Sequence, residues 1–146
     1  METRINIQAA QPQAYKAMLG LESYLQTTQL NNKHKELIKI RASQMNGCAF
    51  CLDMHTKDAR KLGETEQRIY LLNAWKETDL FTDEEKAILA LTEEVTLIHQ
   101  KGVTEETYKT AEKLFSPEYL AQLIMAIVTI NAWNRIAIST RLPILK

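Results

Sequence analysis

Residues 36–56 read ELIKIRASQMNGCAFCLDMHT, and Asn46-Gly47 divides this stretch into two helices. A glycine just past a helix end permits the left-handed turn that stops it, so a helix N-capped at Asn31 is predicted to end here. The next is predicted to run from about Cys48 to Leu62 and to stop at Gly63 in the same way. Along it Leu52, His55, Ala59 and Leu62 recur at spacings of three and four. His55 therefore shares the apolar, inward face. Folding back about Asn46-Gly47 makes the two helices an antiparallel hairpin.

The chemistry-bearing residues lie on that hairpin. Cys51 precedes His55 by four positions, which stacks the two side chains on one face within reach of a thiol-to-imidazole hydrogen bond. Cys48 sits at the helix start, where unpaired N–H groups and the helix dipole favour a thiolate. Sulfurs three residues apart can also close a disulfide. Glu36 enters by height: at about 1.5 Å rise per residue it lies roughly 15 to 16 Å back from the turn, and His55 roughly 12 Å along from it. A carboxylate there can bond the far imidazole nitrogen, fix its tautomer and raise its basicity. Cys51 is the expected nucleophile and Cys48 its resolving partner.

Outward from the hairpin, apolar residues at spacings of three and four recur almost throughout, and period-2 alternation is hard to find. The expectation is an all-α bundle of about seven helices, with residues 1–146 as a single domain. A first helix follows Pro12 and turns Tyr15, Met18, Leu19, Leu21 and Leu25 to one side. A fourth covers roughly Glu66 to Lys76 with Ile69, Leu72 and Trp75 inward. Thr82-Asp83-Glu84-Glu85 is a capping box, opening a fifth helix to about Gln100 whose stripe is Ile88, Leu91, Val95 and Ile98. A sixth runs from about Glu105 to Phe115. Ser116-Pro117 starts the seventh, apolar on most of its circumference, which must be covered by its own fold or by another subunit.

Composition narrows the function classes. The 146 residues are 45% hydrophobic with 18 basic and 18 acidic side chains, so no global field recruits nucleic acid or an anionic membrane. The N-terminus has no apolar core of signal-peptide length, and a cytoplasmic location is expected. The most apolar run, Leu123 to Val128, is short of a membrane span. In a reducing compartment the only two cysteines, three apart, point to reactive chemistry or metal binding rather than a permanent staple. A closed zinc site needs four ligands, and after Cys48, Cys51 and His55 only Glu36 or His34 is an easy fourth. No metal and no cofactor are assigned. His34 and His99 are expected at the surface, Trp75 and Trp133 in the core, and Phe50 as a wall of the site. Arg135 is expected against a buried carboxylate or at a subunit boundary.

Glu36, then Cys48-Ala49-Phe50-Cys51 twelve residues on, then His55, resembles the core of the alkylhydroperoxidase D-like branch of the carboxymuconolactone decarboxylase family. The resemblance extends through Trp75, residues 80–85 and residues 131–135. It implies an all-helical fold assembled as trimers or hexamers and thiol-dependent reduction of peroxides. In the best-known member a glutamate, two cysteines and two histidines relay protons. Carried over, these fall on Glu36, Cys48, Cys51 and His55, while Phe50 stands where the second histidine would be.

The expected function is thus thiol-dependent peroxide reduction through a Cys48–Cys51 redox-active dithiol, with a dithiol reductant protein and a second copy of the chain as partners. The alternatives are a noncatalytic redox-sensing or assembly protein, and a lactone decarboxylase-like enzyme.

Overall fold

The computed structural model describes residues 2–144. Among them the chain forms nine α-helices and no strand: α1 Ile7–Ala10, α2 Pro12–Thr27, α3 Asn32–Asn46, α4 Ala49–Lys61, α5 Glu66–Tyr70, α6 Asp83–Thr96, α7 Ile98–Lys101, α8 Glu105–Leu114 and α9 Pro117–Thr140. A 3-10 segment, Leu72–Glu77, follows α5.

Helix α3 is central because it is apolar on two sides. Its Ile38 and Ala42 enter one cluster with Leu91 of α6 and Leu123 and Ile127 of α9. Its Leu37 and Ile40 enter a second with Ala59 of α4, Leu72, Trp75 and Phe81. Packing against α4, α6 and α9 together removes nearly all of its apolar surface from water. Its own ends are set locally. The Asn31 side chain accepts from the Lys33 N–H, and Gly47 adopts φ 71° and ψ 34°. The Cys48 and Gly47 amides then reach back to the Ser43 and Gln44 carbonyls at 3.0 and 3.3 Å, closing a Schellman turn. This turn makes α3 and α4 antiparallel neighbours.

The helix count exceeds the expected seven for identifiable reasons. The stretch from Glu66 to Lys76 is not one helix: its inward residues Ile69, Leu72 and Trp75 are spaced strictly by three, the period of a 3-10 turn rather than of an α-helix. The chain tightens after Tyr70 so that Leu72 and Trp75 align, and both are buried. The next helix breaks at Leu97, with φ −99° and ψ 38°. Glu94 in its last turn accepts from the Thr104 N–H at 2.8 Å, drawing the start of α8 back. Ile98, expected on the buried stripe, is consequently 59% exposed. Leu62 is likewise 40% exposed, because α4 has already ended and Ala59 is the last residue of its packed face. Leu19 is also exposed rather than packed. The single turn α1 was not expected; Asn6 caps it by accepting from the Ala9 N–H.

The capping box is present as read: Thr82 Oγ1 accepts from the Glu85 N–H and Glu85 Oε2 from the Thr82 N–H. Glu85 does more than cap. With Glu64 it grips Arg68, whose guanidinium lies 2.6 Å from Glu85 Oε1 and 2.8 Å from Glu64 Oε1.

At 24 residues α9 has the length and apolar composition of a membrane-crossing helix, although its most apolar run is only six residues. Here Leu123, Ile127, Ile130 and Asn134 are buried in the bundle. Val128 and Ile138 are each 44% exposed. Asn134 donates to Ser43 Oγ, and Asn46 donates to the side-chain oxygens of both Asn131 and Asn134. These bonds fasten the hairpin turn to α9.

Candidate functional site

Cys48 is the N-cap of α4, where its sulfur accepts from the Cys51 N–H at 3.3 Å. The two cysteines are joined in a disulfide with Cα atoms 5.3 Å apart, within the ordinary disulfide range. Both are buried, at 1% and 2% exposure. One helical turn on, His55 Nδ1 lies 3.1 Å from Glu36 Oε2 across the hairpin. An ionised carboxylate can only accept, so in the neutral ring the proton sits on Nδ1 and Nε2 is left as the base.

The second oxygen of Glu36 meets Lys39 Nζ at 3.1 Å. Burial by itself would raise the Glu36 carboxyl, but the hydrogen bond from His55 and the charge of Lys39 outweigh it and hold the group below the ordinary carboxylate value. Glu36 therefore stays an anion behind the imidazole.

Cys51 and His55 line one side of a cavity of about 380 Å³, together with Phe50 and Met54 of α4. The opposite side comes from elements remote in sequence: Tyr15, Leu19 and Glu22 of α2, Trp133, Ile136 and Ala137 of α9, and the N-terminal residues 3 and 5–8. Trp133 Nε1 donates to Glu22 Oε1 at 2.9 Å, and the Tyr15 ring meets the indole edge-on with centroids 5.5 Å apart. Two bonds from Arg4, to the Thr140 and Ser139 carbonyls, hold the N-terminal segment over this cavity.

Of the four residues singled out in the sequence, Cys51 and His55 line this cavity with Phe50, Cys48 is joined to Cys51 and Glu36 is bonded to His55. Glu22, Tyr15 and the N-terminal roof were missed, since no local spacing links them to the cysteines. Trp133 was assigned to packing but also faces the cavity. Among the described residues Arg135 meets no carboxylate; it is exposed and donates to the Asn131 carbonyl and side-chain oxygens.

Of the zinc ligands weighed above, the cysteines are joined to each other, and His34 is instead 2.9 Å from the Tyr119 hydroxyl. A different set, Glu36, His55 and Asp58, places ligand atoms within 4.8 Å of one another. Lys39 and Lys61 already neutralise its two carboxylates.

An all-helical hairpin with a buried cysteine pair at a helix N-terminus, and a carboxylate-backed histidine one turn on, defines a class of dithiol proteins. The profile of the carboxymuconolactone decarboxylase family matches residues 12–94. The chain belongs to that family, in its alkylhydroperoxidase D-like branch. It is 49% identical over 139 residues to uncharacterised YdfG of Bacillus subtilis (strain 168), covering 95% of both chains. Its fold superposes with TM-score 0.96 on ATU0492 of Agrobacterium tumefaciens, a protein of unknown function offered as a candidate antioxidant defence protein AhpD. Identity there is 41% and 99% of each chain is covered. An uncharacterised peroxidase-related protein of Ralstonia eutropha JMP134 shares the fold alone, with TM-score 0.82 at 16% identity, covering 95% of this chain and 74% of that one.

Proposed function

We propose that this protein reduces peroxides through the Cys48–Cys51 dithiol. The observation that carries the reading is that Cys51 and His55 line one cavity while Glu36 engages His55 from behind. In the reduced protein His55 Nε2 takes the proton of the Cys51 thiol. The thiolate attacks the terminal peroxide oxygen, the O–O bond breaks, and the alkoxide leaves as the alcohol after taking that proton. Cys51 is then a sulfenic acid. The Cys48 thiol condenses with it, water departs, and the disulfide forms. An external dithiol protein returns both cysteines to thiols and is itself oxidised to its disulfide. Phe50 supplies no proton, so the relay on this reading has one histidine.

On the same reading the whole chain is one catalytic domain of a cytoplasmic homo-oligomer, a trimer or hexamer, with the exposed Val128 and Ile138 of α9 available for contact between copies.

The test is turnover of tert-butyl hydroperoxide with excess dithiothreitol. Cys51→Ser abolishes it, and Cys48→Ser leaves one trappable sulfenic acid per chain after one equivalent of peroxide. Variants that both turn over like the parent overturn the mechanism. Lactone chemistry that survives replacement of both cysteines would support the decarboxylase alternative instead.

A further inference from the structure

The cavity in front of Cys51 is far larger than hydrogen peroxide needs. At about 380 Å³ it is the size of a small-ligand pocket, and Phe50, Met54, Trp133 and Ile136 give it a largely apolar lining. Neutral polar side chains, Thr3, Asn6, Gln8 and Thr140, line it as well, and one lining side chain is a carboxylate. Among the described residues that line it, Glu22 is the only acidic one, and His55, Tyr15 and Cys51 are the only other ionisable side chains.

The carboxylate is also held in place. Oε1 takes the Trp133 indole N–H at 2.9 Å, while among the described residues no protein donor meets Oε2. Among the described residues no lysine or arginine lines the cavity. The Arg4 guanidinium is committed to the Ser139 carbonyl, and Lys35, which feels the Glu22 charge, donates to the Leu25 carbonyl.

We infer that Glu22 is a specificity residue that rejects anionic substrates, so that the natural substrate is a largely apolar molecule that is neutral or carries a hydrogen-bond donor or cation for Oε2. This rests on the peroxidase reading for the reaction, not for the binding. A substrate carboxylate entering the cavity loses its water, finds no lysine or arginine among the described lining residues to pair with, and meets the Glu22 carboxylate across a low-dielectric space. A hydroxyl or ammonium group finds an acceptor already oriented by Trp133. Free fatty-acid hydroperoxides are therefore poor substrates on this account, and uncharged or aminated aryl and alkyl hydroperoxides good ones.

The experiment uses three cumene hydroperoxides that differ only at the para position: hydrogen, carboxylate and aminomethyl. With dithiothreitol as reductant at neutral pH, the carboxylate compound shows a kcat/KM about tenfold or more below the neutral one. In Glu22→Gln, which keeps an acceptor for Trp133, that ratio shrinks toward unity, and Glu22→Lys inverts it. Equal ratios in the parent and Glu22→Gln overturn the proposal. Calorimetric binding of the three corresponding alcohols separates the two readings. If no peroxide is turned over but the alcohols still rank by charge and Glu22→Gln removes the ranking, the Glu22 inference stands while the peroxidase reading falls. Alcohols that bind without regard to charge overturn the inference whatever the turnover.

Discussion

Glu36 and His55 stand 19 positions apart in the chain, yet the Glu36 carboxylate and His55 Nδ1 are 3.1 Å apart in the buried hairpin. The bond fixes which imidazole nitrogen is basic and keeps a negative charge behind it. If His55 serves as the base for Cys51, Glu36→Gln lowers kcat for tert-butyl hydroperoxide by about tenfold or more, and His55→Gln by about a hundredfold. Stopped-flow oxidation of the reduced protein measures this, and the acid limb of the pH–rate profile shifts in Glu36→Gln. Parent-like rates in both variants would remove His55 from the mechanism.

Acid should unfold the protein through its paired carboxylates. Glu36, Glu85 and Glu93 all lie below the ordinary value of 4.5, because hydrogen bonds and neighbouring cations outweigh the upward push of burial. The native state then binds fewer protons than the unfolded chain as pH falls through this range. The stability they confer is fully present above the unfolded value of 4.5 and is lost as pH drops from there through the lower folded values. Urea midpoints should be flat with respect to these groups above about pH 5.5 and fall steadily below about pH 4.5. A midpoint that rises on acidification would contradict the assignment.

Arg68 neutralises Glu64 and Glu85, two buried carboxylates on either side of the 3-10 turn. Arg68→Met leaves both without their partner and should cost about 3–5 kcal/mol by denaturant melts, far more than an exposed pair such as Lys61–Asp58. Replacing Lys61 by Met should cost less than about 1 kcal/mol.

Two helix ends test backbone strain in opposite directions. Gly47 ends α3 at φ 71°, and no atom stands within 4 Å of where a Cβ would be, so Gly47→Ala isolates the conformational penalty at about 1–2 kcal/mol. Arg141 ends α9 at φ 55°, the one non-glycine residue at positive φ among those described, with its amide reaching back to Ile138. Arg141→Gly should therefore gain about 0.5–1 kcal/mol. Thermal melts that move the same way in both variants would show that the turns do not control these ends.

The order of helices around the cysteines was legible because its causes are local. Gly47 stops α3, Cys48 caps α4, and Thr82 with Glu85 opens α6 through contacts spanning only a few residues. The meeting of Glu36 with His55 was legible at one remove, since a fixed rise per residue sets heights once the hairpin is granted. The extent of the fourth and fifth predicted helices was misjudged where packing chose the backbone. Ile69, Leu72 and Trp75 look like a helical stripe in sequence, but the core accepts them only with a 3-10 turn, and Ile98 leaves its stripe because Glu94 draws Thr104 inward.

By itself, then, the sequence determined an all-helical chain with a cysteine pair at a helix start and an inward histidine one turn on, because helix period and end caps are short-range properties. Only the tertiary structure decided what stands in front of Cys51. Tyr15, Glu22, Trp133 and the N-terminal segment converge there through the packing of α2 and α9, across more than a hundred residues, where no local hydrogen bond or period can signal it.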